Sequence, residues 1–368
     1  MTIRYLNKRD VLAACKGGSV YASGGGGFYK HGIEMGEAAV ALSPVVLKTI
    51  DEFEDDDLII TQTAIGAPAG TTDWQMLGKD YVRAVELLFE KHPHPEKIKG
   101  ILTPQNGKSS STNGWLAASA LGLAVVDATG DIRAHPTGKM GNMGVANDTS
   151  YETIQAVSGG RRETGRHIEL SVQGTAAYTS KILRIASDLS GGFIAAARHP
   201  LKASYIKENA VISGLSRAIE LGYRILDHEE EGATSVIDAI VEQTQGKVLA
   251  RGKVISKDMT YTAEAFDVGQ VKVSTGEDIF TIHVQNEYMA VDSLEQGRVA
   301  TYPDVITLFR SEDAHPLSTD EIEINQDVVL FKVSKEHFPL STGVTDPSVY
   351  PEVEEVLGID LYNHAFKQ

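Results

Sequence analysis

Cysteine is almost missing from this chain of 368 residues, which contains only Cys15. A single cysteine excludes an internal disulfide and a thiolate metal cluster within one chain. Proline is also scarce, with 12 residues, and no apolar run reaches the roughly 18 residues that a membrane-spanning helix needs. The N-terminal stretch MTIRYLNKRD is too charged for a signal peptide. We therefore expect a cytoplasmic protein.

Basic residues are few relative to acidic ones. The chain has 34 Lys and Arg against 50 Asp and Glu, so its net charge at pH 7 is −16. Nucleic acids and anionic membranes both bind basic surfaces, and we expect neither as a partner. An apolar content of 42% suffices for ordinary globular cores, and the length suggests two or three domains. This acidic composition is compatible with a homo-oligomer.

Four consecutive glycines, Gly24, Gly25, Gly26 and Gly27, interrupt the stretch SVYASGGGGFYKHGIEMGEAAVAL. The apolar residues 20–22 before them predict a short strand, and the spacing after them predicts a helix. Glycine lets the backbone turn sharply and expose its N–H groups, and a helix N-terminus favours an electron-rich ligand. We predict that this loop binds a ligand. The alternative is a tight turn for close packing, since the spacing fails the dinucleotide fingerprint.

Apolar segments alternate with helical patterns through the first half of the chain. The sequence predicts strands at 44–50, 58–63, 98–103 and 123–127 and helices at 81–89 and 115–121. This alternation is typical of an α/β fold with a largely parallel sheet. Ligands of such sheets gather beyond the carboxyl ends of the strands. We therefore expect one pocket where four loops converge, at residues 24–27, 66–72, 105–113 and 127–135.

Two of these loops supply further ligand-binding candidates: Gly66, Gln105, Asn106 and Asn113. The segment TPQNGKSSSTNGW contains GKSS after a predicted strand, but Leu102 stands where a phosphate loop needs its first glycine. We therefore do not expect an ordinary ATP or GTP site. The alternative for this segment is a polar surface turn.

The segment VVDATGDIRAHP carries three candidates for chemistry. Asp127 ends a predicted strand and is a candidate proton acceptor. Arg133 is suited to pairing with a substrate carboxylate, and an exposed His135 titrates near neutral pH. The alternatives are an Asx turn for Asp127, an ion pair for Arg133 and a helix start for His135.

After residue 244 the composition changes to short β-rich segments separated by Gly and Asp turns, which predicts a mostly antiparallel β domain. We divide the chain into an N-terminal α/β domain at 1–165, an α/β connecting segment at 166–245, a β-rich domain at 246–345 and a tail at 346–368. The β domain adds Asn286, Glu287 and Asp304 as candidates. The alternatives are an outward-facing acid for Glu287 and a turn cap for Asp304.

Six short segments occur in order along the chain: SGGGGF at 23–28, IGAP at 65–68, DATGDIRAHP at 127–136, QNEYM at 285–289, TYPDVI at 301–306 and TDEI at 319–322. As an ordered set they resemble a family named for S-methyl thiohydantoin desulfurase, over roughly residues 7–335. The resemblance implies an N-terminal α/β part and a β-rich C-terminal part. Thr129, Ile132 and His135 stand where the family pattern has an aspartate, a glycine and an aromatic residue. We therefore expect a divergent member.

The resemblance also implies an activity, the hydrolysis of an S-methylated thiohydantoin to a hydantoin and methanethiol, and members are often encoded beside hydantoinases. Our hypothesis is a hydrolase in which Asp127, Glu287 or Asp304 activates water and the N–H groups of 24–27 bind the ring carbonyl. The sequence has no HExxH motif or cysteine pair, so metal and cofactor stay unknown. The alternative is a non-catalytic small-molecule-binding or accessory protein of the same fold.

Overall fold

The computed structural model describes residues 4–66, 76–262 and 266–367. Within these ranges a first sheet contains nine strands. They are β1 (Arg4–Leu6), β2 (Val45–Lys48), β3 (Leu58–Gly66), β4 (Ile98–Gln105), β5 (Ala124–Asp131), β6 (Glu152–Gly159), β7 (Ile168–Thr175), β8 (Phe193–Lys202) and β9 (Val211–Ile212). Their order is β1-β2-β5-β4-β3-β8-β6-β7, and β9 pairs with β5.

The centre of this sheet is parallel, and its flanks are antiparallel. Strands β2, β5, β4 and β3 pair in parallel, whereas β1, β8, β6, β7 and β9 join in antiparallel pairings. The predicted α/β class is therefore confirmed. Because parallel strands end at one edge of a sheet, the last residues of β3, β4 and β5 (Gly66, Gln105 and Asp131) share an edge.

Helices pack on the first sheet and also form the C-terminal end of the chain. They are α1 (Lys8–Tyr21), α2 (Tyr29–Leu42), α3 (Gly78–Lys91), α4 (Trp115–Leu121), α5 (Ala176–Ser190), α6 (Ala203–Asn209), α7 (Gly214–His228), α8 (Ala233–Thr244), α9 (Thr342–Thr345), α10 (Pro351–Leu357) and α11 (Tyr362–Phe366). Within the described ranges, none of them is both long enough and apolar enough to cross a membrane.

The strand predicted at residues 20–22 is wrong, because helix α1 runs on to Tyr21. Its start is fixed by a capping box, in which Asn7 accepts from the amides of Arg9 and Asp10 and the Asp10 carboxylate accepts from the Asn7 amide. Val20 lies in the buried core, so its apolar character reflects helix packing. A short apolar run alone cannot separate a strand from a buried helix turn. The four glycines thus join two helices.

A second sheet forms the C-terminal half. It consists of β10 (Lys247–Tyr261), β11 (Asp267–Ser274), β12 (Ile279–Gln285), β13 (Glu287–Ser293), β14 (Gly297–Thr301), β15 (Val305–Arg310) and β16 (Asp327–Val333). These strands lie in the order β14-β13-β12-β11-β10-β16-β15, and all their pairings are antiparallel. The β-rich second part is thereby confirmed. The finer four-part division of the chain stays a prediction.

Backbone hydrogen bonds dock the glycine loop onto the second sheet. The Tyr288 amide donates to the Ser23 carbonyl at 2.6 Å, and the Thr319 amide donates to the Gly24 carbonyl at 3.0 Å. The Ser23 side chain accepts from the Ile306 amide at 3.2 Å. These contacts place the first residue of β13, Glu287, beside the glycines.

Candidate active site

A cavity of about 650 Å³ opens at the carboxyl edge of the first sheet. Its walls come from the glycine loop, the ends of β3 and β4, the loop after β5, helix α5, strand β8 and the start of β13. Several predicted site residues line it: Gly25, Gly26, Gly27, Gly66, Gln105, His135, Asn286 and Glu287. The rest of the predicted loop 66–72, beyond Gly66, lies outside the described residues. The structure therefore brings together residues that are up to 262 positions apart in sequence (25 to 287).

The glycine loop is locked to the loop after β4. The Gly26 carbonyl accepts from the amides of Ser109 and Ser110, at 3.0 and 3.2 Å. Gly26 has a φ of +77° and packs its Cα against Gly107, where a side chain would overlap the backbone. The amides of Gly26 and Gly27 donate to no described residue. Because both glycines line the cavity, these amides are candidate donors to a ligand.

Glu287 is a buried acid of the cavity wall, and only 4% of it is exposed. It follows Asn286, whose φ of +57° turns the chain and whose side chain accepts from the Asp267 amide at 2.9 Å. Gly25 packs directly against the carboxyl group, and any side chain at Gly25 would overlap it. The Oε2 atom is buried and has no hydrogen-bond partner among the described residues.

Burial raises the pKa of Glu287 to about 8, because the charged carboxylate loses its hydration. The positive charges of Arg133 and Arg184 oppose this rise without cancelling it. Glu287 is therefore mostly protonated at neutral pH. A neutral carboxyl group that reaches a cavity can donate a proton to a ligand.

His135 stands at the same cavity with an acidic neighbour. Its Nδ1 lies 3.4 Å from Oδ2 of Asp131, at ion-pair distance, and makes no hydrogen bond to a described residue. Asp131 is itself held by the Tyr302 hydroxyl, which donates to Oδ2 at 2.8 Å. A small ring movement would orient Nδ1–H toward Asp131 and leave Nε2 to accept a proton. Asp131 is not among the residues predicted from the sequence, although its i, i+4 spacing to His135 is visible there.

Two further arginines line the cavity, a half-buried one and a buried one, and neither is predicted as a site residue from the sequence. They are Arg184 on α5 and Arg198 on β8, and His199 follows in the same wall. The Arg184 guanidinium lies over the ring of Phe266, at 4.2 Å from its centroid. The only available signal was an arginine at position 198 inside the apolar run FIAAARHPL, where a charged residue needs a reason.

The predicted base Asp127 lies outside the cavity wall. Its Oδ1 accepts from the Ser216 amide at 2.8 Å, in the first turn of α7, and its carbonyl accepts from the Ser213 amide. This carboxylate satisfies a free amide at a helix N-terminus. Asp127 therefore holds α7 on the sheet through a long-range contact and not through an Asx turn.

The predicted carboxylate-binding residue Arg133 is also internal to the fold. Its guanidinium donates to the carbonyls of Ala134 and Tyr288 at 2.9 Å each and to the carbonyl of Asp304 at 2.6 Å. The side chain has no exposed surface and lies outside the cavity wall. Its donors join the loop after β5 to the second sheet and are not free for a substrate.

Other predicted residues lie behind the cavity wall. The Asp304 carboxylate accepts from the Lys335 amide at 2.9 Å and so joins the start of β15 to the end of β16. The Asn106 side chain donates to the carbonyls of Ile132 and Gly214, and the Asn113 side-chain amide lies 3.1 Å from the Tyr81 hydroxyl. At Gly24, a side chain would overlap the Tyr288 ring. These residues support the wall rather than face its interior.

Metal ligation has no ready set of ligands in the part of the chain that the structure describes. There, no group of three or more His, Cys, Asp or Glu side chains is arranged to hold an ion. The arrangement that does exist is an acid, an imidazole with a carboxylate behind it, and free backbone amides around one cavity. Groups of these kinds, when they face one cavity, can carry out acid–base chemistry.

Two family models match most of the chain. The S-Me-THD-like N-terminal domain matches residues 9–163, and the S-Me-THD-like C-terminal domain matches residues 174–338. The chain therefore belongs to the S-methyl thiohydantoin desulfurase-like family. No curated protein matches it.

A solved crystal structure has the same fold. It is a protein from Chromobacterium violaceum that shares 21% sequence identity with this chain, with a TM-score of 0.75. The match covers 98% of this chain and 99% of the other. At this identity the likeness shows the fold alone.

Proposed function

We propose that the protein is a hydrolase that acts on a small hydantoin- or thiohydantoin-type heterocycle. The observation that carries this proposal is Glu287, a buried acid whose raised pKa keeps it protonated at the wall of a ligand-sized cavity. Membership of the S-Me-THD-like family supports the choice of ring. The free amides of the glycine loop and the His135–Asp131 pair supply the other groups that hydrolysis requires.

The reaction we propose begins with water attack on the ring carbon that bears the S-methyl group. His135 takes a proton from the water as the C–O bond forms, and Asp131 stabilises the resulting imidazolium. The electron pair of the ring C=N bond moves onto nitrogen. The amides of Gly26 and Gly27 stabilise the negative charge that develops on the ring.

Glu287 then gives its proton to the leaving sulfur. The C–S bond breaks as the C=N bond re-forms, and the products are methanethiol and the hydantoin after tautomerisation. The proton held by His135 returns to Glu287, so each cycle consumes one substrate and one water. A thiolate is a poorer leaving group than a thiol, and this is why a protonated carboxyl at the cavity is useful.

The test is incubation of the purified protein with a 5-substituted S-methyl thiohydantoin. Methanethiol is followed with a thiol reagent and the hydantoin by mass spectrometry. We expect turnover in the wild type, a loss of at least about 10²-fold in Glu287→Gln and His135→Asn, and normal turnover in Glu352→Gln. Glu352 also lines the cavity, but its side chain is 44% exposed and pairs with Lys139.

Two outcomes would contradict the proposal. One is thermal stabilisation by the ring compound without any product, which would indicate a binding protein. The other is full turnover in Glu287→Gln, which would remove the acid from the chemistry. Parallel incubation with the hydantoin itself, followed for ring opening, separates C–S from C–N hydrolysis.

A further inference from the structure

Arg198 is a buried cation whose partners are all neutral. It lies on β8 with 6% of its surface exposed, and it lines the cavity. Its Nε donates to the Gln155 side-chain oxygen, and its Nη2 donates to the Ser180 hydroxyl. Gln155 is itself fixed by donating to Thr179. Among the described residues, no carboxylate lies within ion-pair distance of Arg198.

Such an arrangement is costly for a folded protein. A buried charge is normally paired with an opposite charge, because dehydration of the ion is only partly offset by neutral hydrogen bonds. Burial, and to a smaller extent the like charge of Arg184, lowers the pKa of Arg198 to about 10. A structural bridge between Gln155 and Ser180 would not require a cation. A negatively charged group of a ligand in the cavity would therefore supply the opposite charge that Arg198 lacks.

The backbone of β8 directs two consecutive side chains into the same cavity. His199 has a φ of +49°, and the pairing of β3 with β8 shifts register at this point. Such an irregularity re-aims side chains that would otherwise point to opposite faces of the strand. The His199 Nδ1 lies 3.1 Å from the Thr153 hydroxyl, and Nε2 is buried without a partner among the described residues. His199 Nε2 is thus a second polar atom of the cavity wall, next to Arg198 in the chain, that a ligand can contact.

We propose that Arg198, with Ser180 beside it, binds a carboxylate on the substrate, so that the preferred ring compounds carry an acidic side chain. The identity of the ring rests on the proposed function; the anion subsite does not. One uncompensated cation matches one negative charge, and the planar guanidinium fork suits a carboxylate. Lys139, another cation of the wall, is already paired with Glu352.

The experiment compares two ligands that differ in charge alone. Hydantoin-5-acetic acid and its primary amide are titrated calorimetrically into the full-length protein, with inorganic phosphate as a third probe. We expect the wild type to prefer the acid by about ten-fold or more. Arg198→Gln should lose at least about ten-fold in affinity for the acid and under about three-fold for the amide. Lys181→Gln, which removes an exposed cation of the same wall, should leave both affinities unchanged.

Three results would overturn the subsite. Equal affinity of the wild type for acid and amide, including no detectable binding of either at millimolar concentration, would do so even if Arg198→Gln fails to fold. An equal loss for both ligands in Arg198→Gln would assign the arginine to structure. Tighter binding of phosphate than of the acid would make it a phosphate site. Acid preference without turnover of any thiohydantoin would keep the subsite and reject the hydrolase.

Discussion

Replacement of Glu287 by glutamine should make the protein more stable while it removes activity. Glutamine keeps the size and one oxygen of the side chain, but it cannot ionise. In the native protein the ordinary pKa of 4.5 rises to about 8 through burial. The folded state therefore prefers the neutral acid, whereas the unfolded chain ionises freely above pH 4.5. Stability is lost as the pH rises from that value toward 8, and the loss levels off above 8.

The size of the effect follows from the two pKa values. At pH 7 the unfolded chain is ionised and the folded one is mostly not, which costs the folded state about 3 kcal/mol at roughly 1.4 kcal/mol per pH unit. With an unfolding entropy of about 2.1 cal/mol/K per residue over 368 residues, 3 kcal/mol corresponds to about 4 °C in Tm. Glu287→Gln should gain up to this amount at pH 7 and almost nothing near pH 4.

The assay is thermal unfolding of wild type, Glu287→Gln and Glu352→Gln across pH 4 to 9. The exposed Glu352 controls for the loss of one carboxylate at the same cavity, and its replacement should not change the pH dependence. Parallel curves for the wild type and Glu287→Gln would refute a buried, protonated acid. A lower Tm of Glu287→Gln at pH 7 would refute it too. In wild-type turnover, loss of the Glu287 proton should produce a decline above about pH 8.

Three further substitutions distinguish residues that take part in the proposed reaction from residues that only support the fold around the cavity. Gly25→Ala places a methyl group against the Glu287 carboxyl, so turnover should fall by at least about ten-fold while the circular dichroism spectrum stays native. Unchanged turnover would show that this contact is not needed. Asp131→Asn removes the charge behind His135 and should lower kcat by about 10² or more, measured across pH; a wild-type profile would exclude the pair. Asp127→Ala should keep wild-type turnover, but its free energy of unfolding, measured in urea, should fall by about 1–3 kcal/mol because a buried amide loses its acceptor. Loss of turnover in the folded variant would return Asp127 to the mechanism.

Much of the fold could be predicted because its signals are local. The pattern at 115–121 predicted α4 with its observed bounds, and the strands predicted at 58–63 and 98–103 correspond to the first parts of β3 and β4. The sequence pattern does not reveal strands β6 and β8, because each is buried along nearly its whole length. Periodicity also could not show that α1 continues to Tyr21.

The predicted end of strand β5 determines whether Asp127 or Asp131 is the candidate acid. The sequence suggested that the strand ends at Asp127, but β5 continues for four more residues to Asp131. Ligands lie beyond the carboxyl end of such a strand, so the earlier predicted end points to Asp127, which lies below α7, instead of Asp131, which lies behind His135. The convergence of loops was thus predictable, while the choice between Asp127 and Asp131 depends on a strand boundary that local patterns define poorly.

The contrast between Arg133 and Arg198 shows what no sequence pattern could reveal. Both follow apolar residues, and both are buried in the fold. Arg133 donates to three backbone carbonyls, so its hydrogen bonds are used inside the protein. Arg198 has neutral side-chain partners and faces the cavity. The difference lies in which atoms surround each guanidinium, and residues distant in sequence supply those atoms.

The same use of Arg133 explains how Glu287 stays protonated close to positive charge. An arginine that donated directly to this carboxyl would hold its pKa low and fix an inert ion pair. Instead the carbonyls of Ala134, Tyr288 and Asp304 take the donors of Arg133, and its charge acts on Glu287 only at longer range. The acid is positioned by the packing of Gly25 and by the backbone bonds that dock the glycine loop onto β13. Because neutral contacts and not an ion pair hold the Glu287 side chain, its position does not depend on its protonation state.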